Sequence, residues 1–276
     1  MELLNPKDYY KLVEPLQKVE LNNLFARSVI ENRIAGKVYV YDKINPKTFY
    51  VLHPYGMSLL FGDSGNENFN NLLLQYALNR NQSRNKSEWM QAFPASWDIV
   101  LTELFKEYVI KSNDNHSKKE TGIIELNTRL NFTFNKQRYL SSEKTIDIPG
   151  TEIVQTGQKQ YREIKGTVIP SYFWKDENDF LENGIGYSLL YKGELAATAY
   201  AAFIINNKLE IGIETVDTYR GKGFAEKVCS ALVDYCLPKN YEPVWACRLE
   251  NTGSYKLAQK LGFEVSKEIP FYRLSR

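Results

Sequence analysis

Leu209-Glu210-Ile211-Gly212-Ile213-Glu214-Thr215-Val216 reads as a strand that runs into Arg220-Gly221-Lys222-Gly223-Phe224-Ala225, and an amphipathic helix follows. A strand feeding a glycine-rich turn at a helix start makes a cradle for an anion. The first backbone N–H groups of a helix lack partners within it, point outward and carry the positive end of the helix dipole. Gly221 and Gly223 remove the side chains that would hold an anion at a distance, and glycine admits the positive φ angles that turn several amides toward one point. Arg220 adds a fixed positive charge. The pattern predicts a pyrophosphate site.

Spacing sorts the possible ligands. A P-loop ends in Gly-Lys-Ser/Thr, whose hydroxyl holds magnesium, and this loop has no such ending. A dinucleotide fingerprint, Gly-x-Gly-x-x-Gly, would put its third glycine where Glu226 stands. The ribose-binding acid expected ~20 residues further on has no candidate either. A plain solvated turn accounts for the glycines but not for an arginine followed by Gly-x-Gly-x-Ala behind a strand that carries carboxylates.

A second stretch agrees with the first. Strand-like Val244-Trp245-Ala246-Cys247 leads to Asn251-Thr252-Gly253-Ser254-Tyr255-Lys256-Leu257-Ala258-Gln259-Lys260-Leu261-Gly262-Phe263. The loop resembles the Gln/Arg-x-x-Gly-x-Gly/Ala motif of the GNAT superfamily of acyl-CoA N-acyltransferases, and this second element resembles its Asn-x-x-Ala/Ser-x-x-Leu-x-x-Lys-x-Gly-Phe element. The matched region is residues 150 to 276, and Glu210 to Ala225 is similar to a bacterial two-part GNAT subfamily. The resemblance implies acetyl-CoA as cosubstrate, direct transfer to an amine and no metal. It also implies roles for particular residues. The backbone of Thr215 and Val216 would bond the pantetheine arm like an added strand, and the amides of Arg220, Gly221, Lys222, Gly223, Phe224 and Ala225 would hold the pyrophosphate. Asn251 and Ser254 would reach the coenzyme from the following helix. Read by themselves, Asn251 is also an ordinary helix N-terminal residue and Ser254 a small residue that permits close packing. One departure matters: many members place a tyrosine after the leucine matched by Leu257, to protonate the leaving thiolate, and this chain has Ala258. Tyr255, another tyrosine or water would then take that part.

Strand alternation puts Glu210, Gly212, Glu214 and Val216 on one face and Leu209, Ile211, Ile213 and Thr215 on the other. Acyl transfer to an amine needs a base, and paired carboxylates partly out of water suit that work. Glu210 and Glu214 are therefore the catalytic candidates. The plainer alternative is that one or both face solvent or bind the backbone of a neighbouring segment.

The rest of the chain sets the frame. With 276 residues, 43% of them hydrophobic, it is long enough for two ordinary soluble domains, expected at residues 1–145 and 146–276. No apolar run approaches the ~18 residues that cross a bilayer, and the start has no leader pattern, so a cytoplasmic protein is expected. Its 35 basic and 33 acidic residues are interspersed, leaving no basic stripe for a nucleic acid. Cys229, Cys236 and Cys247 read as reduced core residues, and neither His53 nor His116 has metal-ligand spacing.

The expected architecture is α/β with a mixed sheet. The C-terminal half is a GNAT fold: a strand over Thr151 to Thr156, a helix over Gln158 to Phe173, a hairpin flanking Lys192-Gly193-Glu194, then the strand–loop–helix unit. The N-terminal half shows a fainter copy of the same order, with strands over Lys37 to Tyr41, Phe49 to Leu52, Ser58 to Phe61 and Glu88 to Phe93. Helices are expected there over Asn68 to Leu78 and Trp97 to Ile110. Its loop Gly62-Asp63-Ser64-Gly65-Asn66 has an aspartate where a pyrophosphate would be repelled, so this half is read as a degenerate GNAT copy without coenzyme, or an unrelated α/β cap. Tyr172, Phe173 and Trp174 offer either an aromatic wall for an amine or ordinary core. The functional expectation is an acetyl-CoA-dependent N-acetyltransferase acting on a primary amine of a small molecule or a protein. The alternative is a non-catalytic acyl-CoA-binding sensor.

Overall fold

A computed structural model describes residues 1–111, 122–142 and 147–276 of the chain. They form two compact units: unit 1 comprises residues 1–130, 248–250 and 267–276, and unit 2 comprises 131–247 and 251–266. The junction expected between residues 145 and 146 lies outside the described residues, as do His116 and the polar run 113–120 expected to be a surface loop.

Unit 1 opens with β1 (Glu2–Leu3), α1 (Val13–Gln17) and α2 (Leu24–Ile30), followed by β2 (Lys37–Val40), β3 (Thr48–Leu52) and β4 (Met57–Gly62). Then come α3 (Glu67–Ala77), β5 (Glu88–Phe93), α4 (Ser96–Phe105), β6 (Val109–Lys111) and the start of β7 (Ile124–Phe134). Unit 2 holds α5 (Lys136–Ser141), β8 (Thr151–Gln155), α6 (Gln158–Glu163), α7 (Glu177–Asn183), β9 (Gly186–Tyr191), β10 (Glu194–Ile205) and β11 (Lys208–Thr215). It continues with α8 (Phe224–Cys236), β12 (Glu242–Val244), β13 (Ala246–Arg248), α9 (Thr252–Lys260) and the first part of β14 (Phe263–Leu274). Three strands thus pass from one unit into the other: β7 leaves unit 1 after Leu130, β13 ends in it at Arg248, and β14 re-enters it at Lys267.

In unit 1 the sheet order is β1-β2-β3-β4-β5, then β14 and β7, with β6 beside β7. The β-branched and aromatic runs of β2 and β3 favour a pleated, buried surface. Helix α3 starts where the Asn66 side chain accepts from Phe69 N–H. Its Phe69, Leu73 and Ala77 pack with Trp97, Leu101 and Phe105 of α4 against Tyr50, Leu60, Met90, Tyr272 and Leu274 of the sheet. Each such side chain contributes on the order of 1.5–3 kcal/mol by leaving water. Glu88 sits in this core, where its carboxylate accepts from the hydroxyls of Tyr50 at 2.6 Å and Tyr76 at 2.7 Å. Burial holds that carboxyl above the usual range. The helix expected to reach Ile110 ends at Phe105, and Val109–Lys111 pairs with β7 as a strand instead.

The second sheet runs β12-β11-β10-β9-β8, antiparallel except for the parallel pair β11 and β12. Helix α8 is the crossover that joins that parallel pair. It buries Val228, Cys229, Leu232, Val233 and Cys236, while the buried alanines of β10 let it come close. The cysteines behave as small apolar residues: all are free and buried, and burial pushes the Cys236 thiol up to about 12. The helix expected over Gln158 to Phe173 is far shorter. It stops at Glu163, because Ile164 turns extended and the amides of Thr167 and Val168 go to a side chain rather than to helical carbonyls.

Candidate active site

β12 lies beside β11 only along Lys208↔Glu242, Leu209↔Pro243 and Glu210↔Val244. Beyond Trp245 the chain pairs with β7 instead, beginning with the bond from Phe132 N–H to Trp245 O. On its other side β11 stays with β10 as far as Thr215↔Ala197. Antiparallel bonds alternate along a strand. Val216 N–H donates to Ala196 O at 2.9 Å, so Gly212 and Glu214 also turn their backbone groups to β10. Ile213 and Thr215 turn theirs to the opposite edge, which past Glu210 carries no strand among the described pairings. A slot therefore opens between β11 and β12 with exposed backbone on one wall. Of the two residues expected to bond a pantetheine arm, Thr215 lies on that wall. Val216 does not: its N–H is held by Ala196, and its carbonyl accepts from Tyr219 N–H at 2.8 Å. Ile213 takes its place.

The slot leads to the loop. Gly221 and Gly223 have φ of +76° and +80°, a region that disfavours any residue with a Cβ. A Cβ at Gly221 would meet nothing within 4 Å. Gly223 is the N-cap of α8, no side chain caps the helix, and its first internal bond is Lys227 N–H to Gly223 O. The amides of Phe224, Ala225 and Glu226 are thus left aimed at the loop. Arg220 is largely exposed, 2.9 Å from Asp217 and 3.7 Å from Glu214. The Lys222 ammonium stands 5.2 Å from the Tyr219 ring and 5.8 Å from that of Tyr191, and the Phe224 side chain is buried against Tyr191. The residues present fit a pyrophosphate held by backbone amides with two cations near.

A bulge at Ala202 falls on β10 and not on β11, so Glu210, Gly212 and Glu214 keep a common face, across from Phe203, Tyr200 and Thr198. Their surroundings differ. Glu214 Oε2 accepts from Thr167 N–H at 2.8 Å and Val168 N–H at 2.9 Å. Gly166 arches over this carboxylate so closely that a Cβ there would stand 2.3 Å from its carbon. Glu214 binds the backbone of a neighbouring segment. Glu210 is 7% exposed and lies where the slot begins. Between them stands Tyr200, fully buried, whose ring occupies the space over Gly212; a Cβ there would be 2.5 Å from Tyr200 Cζ. Sequence reading passes over Tyr200, although a glycine inside a strand marks close approach of another group.

Asn251 and Ser254 have local partners. Asn251 Oδ1 accepts from Ser254 N–H at 3.2 Å, capping α9, and Ser254 Oγ accepts from Trp245 Nε1 at 3.2 Å. They pin the residue at which the strand leaves β11. Ala258 is fully buried, while the Tyr255 hydroxyl one turn earlier accepts from Gln259 Nε2. Phe173 is core, packed edge-on against Phe203, while Trp174 is half-buried with its Nε1 donating to Ala201 O, and Tyr172 stays exposed. Among the described residues no helix is long and apolar enough to cross a membrane.

Unit 1 has the same strand–helix–strand order in β4, α3 and β5 without either feature. β4 and β5 pair in unbroken register from Met57↔Trp89 to Phe61↔Phe93. The start of α3 is capped by Asn66, with Glu67 in its first turn.

Comparison with known proteins agrees with this geometry. The model of the GNAT acetyltransferase family matches residues 14–272. The chain is 26% identical over 253 residues to YdfB of Bacillus subtilis (strain 168), an uncharacterized N-acetyltransferase, covering 90% of this chain and 89% of that one. A GCN5-related N-acetyltransferase-like protein from Streptococcus suis shares the fold with a TM-score of 0.66 at 18% identity, over 98% of this chain and 99% of its own. So does a tandem GNAT protein from the clavulanic acid biosynthesis pathway, with a TM-score of 0.62 at 11% identity, over 99% and 98%. With slot, cradle and a family match along nearly its whole length, the chain belongs to the GNAT acetyltransferase family and is an N-acetyltransferase.

Proposed function

We propose that unit 2 binds acetyl-CoA and moves its acetyl group directly to a primary amine of a small molecule in the cytoplasm. The observation that carries this reading is the continuity of the open β11 edge with the uncapped start of α8. An extended amide-bearing arm can add to Ile213 and Thr215 as a strand would, and its pyrophosphate can end on the amides of Phe224 and Ala225 beside Arg220. Acetyl-CoA supplies the activated acetyl thioester. Glu210, nearly buried where the slot begins, is the base that takes a proton from the amine. Ala258 offers no hydroxyl, so Tyr255 Oη or water supplies the proton that the departing thiolate needs.

Thiol release from acetyl-CoA across a panel of small amines tests the proposal. Amine-dependent turnover is the expected outcome. Saturable binding of acetyl-CoA without turnover on any amine or peptide would sink the transfer reaction but leave the coenzyme site standing, and absence of binding would remove both.

A further inference from the structure

The segment between α6 and Phe173 is anchored at its ends and open between them. Ile164 and Pro170 are buried, while Lys165, Gly166 and Thr167 are exposed. Among the described residues, the hydrogen bonds of residues 165–168 go to a single atom, Glu214 Oε2, which accepts from Thr167 N–H and Val168 N–H. One carboxylate oxygen therefore decides where this strap lies. Gly166 sets the strap against Glu214, on the face of β11 that also carries Glu210. It stands on the side where an amine would meet the base.

The other oxygen of the same carboxylate belongs to the cradle. Glu214 Oε1 is 3.7 Å from Arg220 Nη2. Glu214 is largely buried, whereas Arg220 and its nearer partner Asp217, at 2.9 Å, are both largely exposed. An ion pair so open to water contributes little, so Arg220 leaves Asp217 readily for a stronger anion. A pyrophosphate on the amides of Phe224 and Ala225 is such an anion, because it brings more charge and several oxygens to the guanidinium fork. Once fixed there, the guanidinium no longer swings through its solvent rotamers, and the carboxylate beside it is fixed as well. Contacts then run without a gap from the cradle through Arg220 and Glu214 to the strap.

We propose that Glu214 is a positioning residue that couples the coenzyme cradle to the acceptor side of the sheet. An anion seated on the cradle fixes Arg220, Arg220 fixes Glu214, and Glu214 holds residues 166–168 in place. A bound donor thereby firms the site for the amine, and by linkage a bound amine tightens the donor. This inference rests on the pyrophosphate reading given above.

Hydrogen exchange on the full chain, read over residues 166–168, tests it, with binding followed separately by calorimetry. The probes are coenzyme A, ADP, which has the pyrophosphate without the arm, and pantetheine, which has the arm without the pyrophosphate. Saturating coenzyme A and saturating ADP are each expected to slow exchange at Thr167 and Val168 by about tenfold, and pantetheine to leave it unchanged. In Arg220→Gln, coenzyme A should bind more weakly and, even at saturation, leave exchange close to that of the free variant. Glu214→Gln keeps the size and loses the charge. In a double-mutant cycle on the coenzyme Kd, it and Arg220→Gln should depart from additivity by about threefold or more. A role confined to loop stability would give additive effects. Coenzyme A or ADP that binds without slowing exchange at 166–168, pantetheine that slows it as much as coenzyme A, or additive effects from variants that melt as cooperatively as the parent would each overturn the proposal. Coenzyme A that does not bind at all in the calorimeter would instead remove the cradle reading, and this inference with it.

Discussion

Gly166 has φ of +149° and lies against the carboxylate of Glu214. A methyl group there meets two obstacles, the backbone angle and the Glu214 side chain, and only the second goes away if the glutamate is shortened. Gly166→Ala is therefore expected to lower stability, and to lower it less in a Glu214→Ala background, with a coupling of about 1–3 kcal/mol in a double-mutant cycle of thermal melts. The two glutamates should part company kinetically. Glu210→Gln should lower kcat by about 10²–10⁴-fold, the usual weight of a general base. Glu214→Gln should act mainly through the 165–168 loop, with a lowered Tm and a smaller loss of kcat. Equal losses from the two in the thiol-release assay would return the base to an open choice between them. The sequence places both carboxylates on one face by alternation alone. What it does not carry is the Gly166 loop, since residues far apart in sequence meet there through backbone amides, which every residue type has.

At the scale of elements, the slot and the cradle work because of what is missing. β12 deserts β11 after Glu210, and α8 begins without a cap. In unit 1 the corresponding strands are zipped along five paired positions and α3 is capped by Asn66. Calorimetry should accordingly find one acetyl-CoA per chain; a second site of similar affinity would show that β4 and β5 can open. The strand, loop and helix from Leu209 to Cys236 are legible from glycine placement and apolar spacing, because these are local causes. The departure of the strand at Trp245 is not legible, being set by a pairing with β7, more than a hundred residues earlier. The overlong helix drawn from Gln158 has the same origin, since tertiary partners for the Thr167 and Val168 amides override a helical pattern.

For the molecule as a whole, stability is tied to pH through His53. The ring is fully buried, and burial, with the nearby Lys86 charge in second place, lowers its pKa to about 3. Its Nδ1 accepts from Tyr55 N–H. The unfolded chain takes up a proton below about 6.5 that the folded chain refuses until about 3, so stability is lost as pH falls between those values, by up to about 1.4 kcal/mol per pH unit. His53→Asn keeps an acceptor for Tyr55 and cannot titrate. Its Tm should change less than the parent's between about pH 7 and pH 5, and parallel curves would dismiss His53 as the cause. A second prediction concerns the last strand. Residues 267–276 belong to unit 1, where Tyr272 and Leu274 are buried and pair with β5. Deleting them should expose unit 1 to proteolysis although the cut lies at the far end of the sequence, while protection of unit 1 equal to the parent's would refute their part in it.

That same strand bears on how the protein is made. A ribosome delivers residues in order, and a nascent domain usually folds once its own stretch has emerged. Here the sheet begun by residues 2–93 stays open beside β5 until residues 267–274 arrive. The first half of the chain must wait for the last, with an unpaired strand edge in the interval.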